Sequence, residues 1–254
     1  MIASVHKAMQ ILRVLSDGAG RPMPLSALAQ QTGLPKPTCA HLVRTLMQDG
    51  YVEQVSRSAG YVLGPETYCL TRFGRYDNEW VALCRPVLRW LHRQTGEAIV
   101  LAVIRSEKKF IIDLIDPTRH ILPNSADIRP DDIYRTATGR AILANLRPDE
   151  VSAIYARFGA PGAQWDNMES LDELQAAAAS LPRRGVIVTE QPRNGAIALG
   201  YGKAVHSATG CVGAVGVAAE VPPAERAQFA ARDPAIRRAL AQCVAEIERR
   251  MQFD

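Results

Sequence analysis

Between Pro35 and Gly50 the chain reads Pro-Lys-Pro-Thr-Cys-Ala-His-Leu-Val-Arg-Thr-Leu-Met-Gln-Asp-Gly. Apolar side chains at Cys39, Leu42, Val43, Leu46 and Met47 recur at the i, i+3, i+4, i+7 and i+8 positions, the stripe of an amphipathic helix. The opposite face carries Thr38, His41, Arg44, Thr45 and Gln48, with almost no acid among them. Such a face can lie against phosphates and base edges without repulsion. Just upstream, Leu25, Leu28 and Ala29 make a second short stripe, and Thr32-Gly33-Leu34-Pro35 breaks the chain. Gly33 suits the left-handed position after a helix end, and Pro37 costs little in a first turn, whose N–H groups lack intrahelical partners. Two short helices joined by a tight turn form a helix-turn-helix, which places the second helix in the major groove.

Arg44 is the first choice for a base contact, because its fork can address guanine, and Thr38, His41 and Thr45 join it as base-edge or groove candidates. Lys36 is placed for a phosphate. Tyr51–Val55 and Tyr61–Leu63 predict short strands around Ser56-Arg-Ser-Ala-Gly60, a hairpin whose tip offers Arg57 and Ser58 to phosphates beside the groove. The same pattern also describes a surface helical hairpin followed by an ordinary β-hairpin.

The chain has 254 residues, enough for two domains with a core each. No apolar run approaches the roughly 20 residues that span a bilayer. The N-terminus lacks the basic-then-apolar layout of a signal peptide, so cytoplasm is the default location. Net charge is only +4, but residues 1–64 hold Lys7, Arg13, Arg21, Lys36, Arg44 and Arg57 against Asp17, Asp49 and Glu53. Most of the positive excess therefore sits with the helix-turn-helix pattern, a modest footprint that a dimer would double. The five cysteines form no C-x-x-C and no histidine pair has zinc spacing, so neither a structural metal nor a disulfide framework is expected. Cys39, Cys84 and Cys243 fall on apolar helix stripes and read as core.

Taken in order, Val5, Ala8, Met9, Leu12 and Leu15 predict one face of a first helix, with Ile11 and Val14 extending it sideways. Glu66 to Arg75 predicts a short linker helix. From Trp80 to Gly96 a further helical stripe contains Pro86, where a break or kink is expected. Ala98–Ile104 and Lys109–Ile115 are β-branched runs that predict an antiparallel hairpin. Helical patterns follow at Thr138–Asn145, Pro148–Phe158 and Leu171–Leu181, then strand patterns at Val186–Thr189, Ala196–Val205 and Cys211–Ala218, and a closing helix from Ile236 to Met251.

These residues resemble a known family. Leu34-Pro-Lys-Pro-Thr38, Leu42–Leu46, Asp49-Gly-Tyr51 and Tyr61-Val-Leu-Gly-Pro65 look like the winged helix-turn-helix of the IclR family of bacterial transcription regulators. Thr136-Ala-Thr-Gly-Arg-Ala-Ile-Leu143, Arg183-Arg-Gly185 and Gly210-Cys-Val-Gly-Ala-Val215 resemble stretches of that family's effector-binding domain, in the same order. The resemblance implies an α+β chain: a winged helix-turn-helix DNA-binding domain over 1–64, a linker helix over 65–77, and a GAF-like α/β effector-binding and oligomerisation domain over 78–254, on an antiparallel sheet. It implies a homodimer formed through the first helix, or a dimer of dimers, bound to double-stranded operator DNA. It also departs from the family at Pro24, where a hydroxyl cap usually starts the second helix.

In the second domain no G-x-S-x-G elbow appears. Gly195-Ala-Ile-Ala-Leu-Gly200 lacks the lysine of a Walker loop, and Gly210, Gly213 and Gly216 read as closely packed strand glycines. His92, His120 and His206, the last expected in a turn, have no carboxylate at a telling spacing. No catalytic site, metal or cofactor is expected. The family's effector pocket, carried over by position, implies Ile133, Tyr134, Thr136, Ala137 and Thr138, then Thr189 and Glu190, then Gly200, Gly216 and Ala218. Thr136 and Thr138 would meet an anion near a helix N-terminus, or serve only as caps. Relatives that bind small oxo-acids carry a Cys near Gly200 and Ser at the places of Gly216 and Ala218. Their loss implies added room and a bulkier organic acid, such as an aromatic one. An enzyme domain fused to a DNA-binding head, and a protein-interaction module that binds no DNA, are the alternatives.

Overall fold

The structure, a computed structural model, describes residues 2–18, 20–56, 58–71, 80–105, 107–115, 133–193, 195–208 and 210–252. One compact unit is built on Met1–Asn78 and a second on Glu79–Leu122 and Pro130–Asp254. The first unit contains α1 (Ala3–Asp17), α2 (Leu25–Thr32), α3 (Lys36–Gln48), β1 (Val52–Ser56), β2 (Gly60–Leu63) and α4 (Pro65–Thr71). Its core is Ile11, Leu15, Leu28, Ala29, Cys39, Val43, Leu46 and Val52. Between α2 and α3, Gly33 takes the expected left-handed conformation at φ 66°, and the Leu34 N–H donates to the Ala29 carbonyl at 3.0 Å. With Pro24 at its N-cap, α2 starts without a side-chain cap, as its sequence implies.

The buried ridge of α1 differs from the expected one. Ile11 and Leu15 point inward, with Ala8, Leu12 and Val14 beside them, whereas Val5 and Met9 are 53% and 58% exposed. At 100° per residue the two sets diverge around the axis, so a stripe this wide cannot all face one small core. The wing also gains a bridge to the segment before α2. Met23 and Tyr61 exchange N–H···O bonds of 2.9 Å, over a Gly60 whose Cβ would lie 2.2 Å from the Met23 carbonyl oxygen. Of the expected linker helix, α4 accounts for the first part, and residues 72–79 lie outside the described residues.

The second unit contains α5 (Trp80–Thr95), β3 (Ala98–Arg105), β4 (Lys108–Ile115), α6 (Ala137–Leu143), α7 (Pro148–Phe158), α8 (Leu171–Ser180), β5 (Ile187–Arg193), β6 (Ala196–Ser207) and β7 (Gly210–Val221). A 3-10 turn at Pro223–Glu225, α9 (Arg226–Ala230) and α10 (Asp233–Arg250) complete it. The sheet runs β4-β3-β7-β6-β5, antiparallel throughout. On one face, α5 and α10 bury Cys84, Leu88, Leu91, Leu240, Cys243 and Val244 against Ile99, Leu101, Leu199, Val215 and Val217. Cys39, Cys84 and Cys243 are buried free thiols, as their stripes predict.

Of the break or kink expected at Pro86, the break does not occur, since α5 runs through it. Pro86 and Ala82 both lie on the exposed side, so the carbonyl that loses its partner can be met by water. Strand β5 continues past the expected end at Thr189, through Pro192, because it lies at the sheet edge, where a missing N–H breaks no ladder.

The other face carries α6, seated on glycines. Val100, Gly216, Gly202 and Ile187 form one cross-strand row over β3, β7, β6 and β5, and cross-strand partners share a face. A Cβ on Gly202 would lie 2.3 Å from the Ala137 carbonyl group, and one on Gly216 2.5 Å from Thr138 Cγ2. At Gly202 helix and sheet touch at backbone distance. Gly202→Ala is expected to force them apart and to cost about 1–3 kcal/mol of stability, as overpacking does; urea unfolding followed by tryptophan fluorescence measures it.

Candidate nucleic-acid interface and ligand pocket

On α3, Cys39 and Val43 are buried while Lys36, His41, Arg44, Thr45 and Gln48 are exposed, and Thr38 is half-buried. No acid occupies the first turn of this helix. Among the described residues, the side chains of Lys36, His41 and Arg44 make no hydrogen bond or ion pair, so their donors are available to a ligand. Thr45 is different. Its hydroxyl donates to the His41 carbonyl at 3.2 Å, which leaves oxygen lone pairs facing outward and makes it an acceptor. Ser58 is exposed at the wing tip, where Ser56 Oγ accepts from the Ala59 N–H at 2.9 Å and lies 3.2 Å from Ser58 Oγ. Arg57 lies outside the described residues.

In the second unit, seven of the ten pocket candidates come together. Thr189, Gly200, Ala218 and Ala98 form the cross-strand row next to the one that seats α6. Thr136, Ala137 and Thr138 start α6 beside it, and Gly216 lies beneath Thr138. Thr136 caps the helix, its Oγ1 accepting from the Gly139 N–H at 3.2 Å. The room expected from Gly216 is not open, because Thr138 fills it. At Gly200 a Cβ would meet Thr189 Oγ1 at 2.8 Å and Ala137 Cβ at 3.4 Å.

Three candidates lie elsewhere. Ile133 and Tyr134 are fully buried with Leu143, Val151, Ile154 and Trp165, and the Tyr134 hydroxyl donates to the Gly159 carbonyl at 3.1 Å. Arg140 fixes this segment, donating through Nε to the Tyr134 carbonyl at 2.8 Å and through Nη2 to the Gln164 carbonyl at 3.0 Å, with its guanidinium 4.5 Å from the Trp165 ring centre. Burial lowers the Arg140 pKa and neighbouring Asp166 opposes that shift. Glu190 follows Thr189 on a strand and so points to the opposite face, where Arg226 holds it in an ion pair of 2.7 Å and depresses its pKa.

The structure adds residues that sequence patterns leave out. Lys109 is 8% exposed, and its Nζ donates to Thr136 Oγ1 at 2.6 Å. The second of two adjacent lysines opening a β-branched run was the available signal. Gln191 Nε2 donates to the Arg135 carbonyl at 2.8 Å, and Arg193 faces Glu220 at 3.6 Å. His206 lies on β6, not in a turn, and does meet a carboxylate: its Nδ1 is 3.2 Å from Glu248 Oε1 and its Nε2 2.9 Å from Asn145 Oδ1. Both ring nitrogens are engaged, so the pair fastens α10 and the end of α6 to β6 and leaves no nitrogen for proton transfer to a substrate. Among the described residues, no group of three or more potential ligands could hold a metal, and no helix is long and apolar enough to cross a membrane.

Residues 4–56 match the IclR helix-turn-helix domain, and residues 78–248 match the C-terminal domain of bacterial transcriptional regulators of the IclR type. The transcriptional repressor IclR of Escherichia coli (strain K12) is 28% identical over 161 residues, 62% of this chain and 58% of that protein. The glycerol operon regulatory protein of Streptomyces coelicolor is 34% identical over 149 residues, 56% of each chain. The chain thus spans little more than half the length of the curated relatives it matches. An IclR homolog of Microbacterium hydrocarbonoxydans, solved in complex with 4-hydroxybenzoate, has the same fold, with a TM-score of 0.67, 16% identity, and coverage of 99% of this chain and 100% of that one.

Because Thr136 accepts from both Lys109 and Gly139, its loss removes a cap and a partner for a buried ammonium. Thr136→Ala is expected to destabilise the second unit by about 1 kcal/mol or more, while Thr136→Ser retains most of the stability; denaturant midpoints at constant m-value give the comparison.

Proposed function

The chain belongs to the IclR family of bacterial transcription regulators, and on that premise we propose that it is a DNA-binding regulator whose operator affinity is set by a small organic acid. The observation that carries this reading is the exposed, acid-free side of α3, where Arg44, His41 and Lys36 have no competing protein partner. In this reading α3 enters the major groove. Arg44 addresses guanine through paired donors, Thr38, His41 and Thr45 lie in the groove beside it, and Lys36, Arg57 and Ser58 meet phosphates. Ile2, Val5 and Met9 expose an apolar strip on α1, 72%, 53% and 58% accessible, which fits a two-fold partner of the same chain. A two-fold dimer reads a palindrome with half-sites about one helical turn, ~34 Å, or a multiple apart.

The effector would lie on the row Ala98–Ala218–Gly200–Thr189, with its carboxylate toward Thr136, Thr138 and Lys109. Three of those four floor residues carry no polar side chain, so they offer flat, weakly selective contact suited to a ring. The 4-hydroxybenzoate bound by the Microbacterium homolog is a chemical precedent for that class. Effector binding changes operator affinity by the difference in its affinity for the DNA-competent and incompetent arrangements of the dimer. An enzymatic second unit has less support, because the one described histidine beside a carboxylate, His206, has both ring nitrogens occupied.

Selection of bound duplexes from a random pool is expected to return a two-fold sequence. Arg44→Ala should then lose about 1–3 kcal/mol of discrimination against substitution of one base pair per half-site, read in competition gel shifts. In a thermal-shift screen, benzoate-type acids are expected to raise the melting temperature of the second unit, and two- or three-carbon acids to leave it unchanged. The opposite pattern would sink the aromatic assignment.

A further inference from the structure

In the first unit, a concavity lies where α1 meets the start of α3. It is a cleft of about 450 Å³ lined by Ser4, Lys7, Pro37, Thr38, His41 and Leu42. Its polar groups are one-sided in charge, an ammonium, two hydroxyls and an imidazole set beside the apolar Pro37 and Leu42, with no acid in the first turn of either helix. Asp17 and Asp49, the acids nearest in sequence, sit at the far ends of these helices. Ser4 is exposed and Lys7 half-buried, and among the described residues neither side chain has a hydrogen-bond or ion-pair partner. Helical spacing sets Ser4 and Lys7 on the side of α1 away from Val5 and Met9, so the apolar strip of α1 and its cleft side are separate surfaces of one helix.

We propose that this cleft is a docking site for a phosphodiester of the DNA backbone, in which Lys7 and Ser4 of α1 close on a phosphate from one side while Thr38 and His41 of α3 approach it from the other. The proposal rests on the DNA-binding reading given above and adds to it a contact from outside the helix-turn-helix pair. A cation in the cleft fits a phosphate rather than a base edge, because Lys7 sits on the helix behind α3 and not on the α3 face that carries Arg44 and Gln48. The depression is open to solvent on its outer side, as a contact with a duplex backbone requires. Contacts of this type position a protein on the duplex and carry no sequence information. Phosphate neutralisation also releases counterions, which gives the contact its own signature in salt. Since α1 carries the proposed dimer strip as well, the two phosphate contacts of a dimer would be held at a spacing set by the subunit interface.

The test measures affinity of the full chain across a salt series for two probes, the duplex selected from the random pool and a duplex of scrambled sequence. Lys7→Gln is expected to weaken both probes by a similar factor, about threefold to tenfold at physiological salt, and to lower the slope of log affinity against log salt by about two, one phosphate per subunit. Its preference for the selected duplex should stay unchanged. Lys7→Arg is expected to restore the slope, and Ser4→Ala to weaken both probes without changing it. Equal melting temperatures and an unchanged dimer in sedimentation separate this effect from misfolding or loss of assembly. An unchanged slope in Lys7→Gln, or a loss confined to the selected duplex, would overturn the phosphate assignment while leaving the DNA-binding reading intact. If the unsubstituted chain does not distinguish the two duplexes, both fall.

Discussion

The second unit depends on one close approach, the seating of α6 on the sheet at Gly202 and Gly216. With side chains there, Ala137 and Thr138 could not reach the strands, and the helix would ride higher by the thickness of a methyl group. The same economy of volume recurs at the start of the helix, where a Cβ on Gly139 would lie 2.1 Å from the Ile133 carbonyl oxygen. The incoming segment therefore passes directly beneath its own helix. Arg140 ties that segment to the loop carrying Gln164 and Trp165, and Thr136 closes the helix against Lys109. Everything that could contact a ligand on this face is positioned relative to that seat.

The first unit works through a different division of labour. Its core uses one side of each of three short helices, and the exposed side of α3 is thereby held in a fixed rotational setting. A helix held by Cys39, Val43 and Leu46 has little freedom to turn, so Arg44 and His41 keep their direction without hydrogen bonds of their own. The Met23–Tyr61 bridge does the same for the wing, fixing it to the segment before α2.

Much of this was legible from local pattern. The stripes at Cys39–Leu46 and Cys84–Leu91, the left-handed Gly33 and the β-branched hairpin each follow from rules that act within about ten residues, and the structure contains them. Ile11 against Val5 was not legible, because a wide stripe does not say which part meets its own core and which part another surface. Whether Pro86 ends its helix was not legible, because that depends on whether the orphaned carbonyl faces solvent. The pocket was harder for a deeper reason. Glu190 and Thr189 are neighbours in sequence but not on a sheet face, and His206 meets Glu248 and Asn145 across 42 and 61 residues. Lys109 and Thr136 approach only once β4 and α6 have assembled. Glycine at 216 reads equally well as an empty place or as one occupied from above, and only the packing decides.

The two parallel rows on this sheet face have unequal latitude. Gly202 lies under the helix backbone and Gly216 under the Thr138 side chain, so a Cβ at either forces a shift, whereas Ala98 and Ala218 belong to the adjoining row, one step along each strand pair. In the effector site proposed above, substitution at Ala98 or Ala218 would change floor height in methyl-sized increments without touching the glycines under the helix. A scaffold arranged in this way can drift from one ligand shape to another by single mutations without first having to be refolded, which is the kind of freedom a lineage of sensors with divergent chemical tastes would draw on.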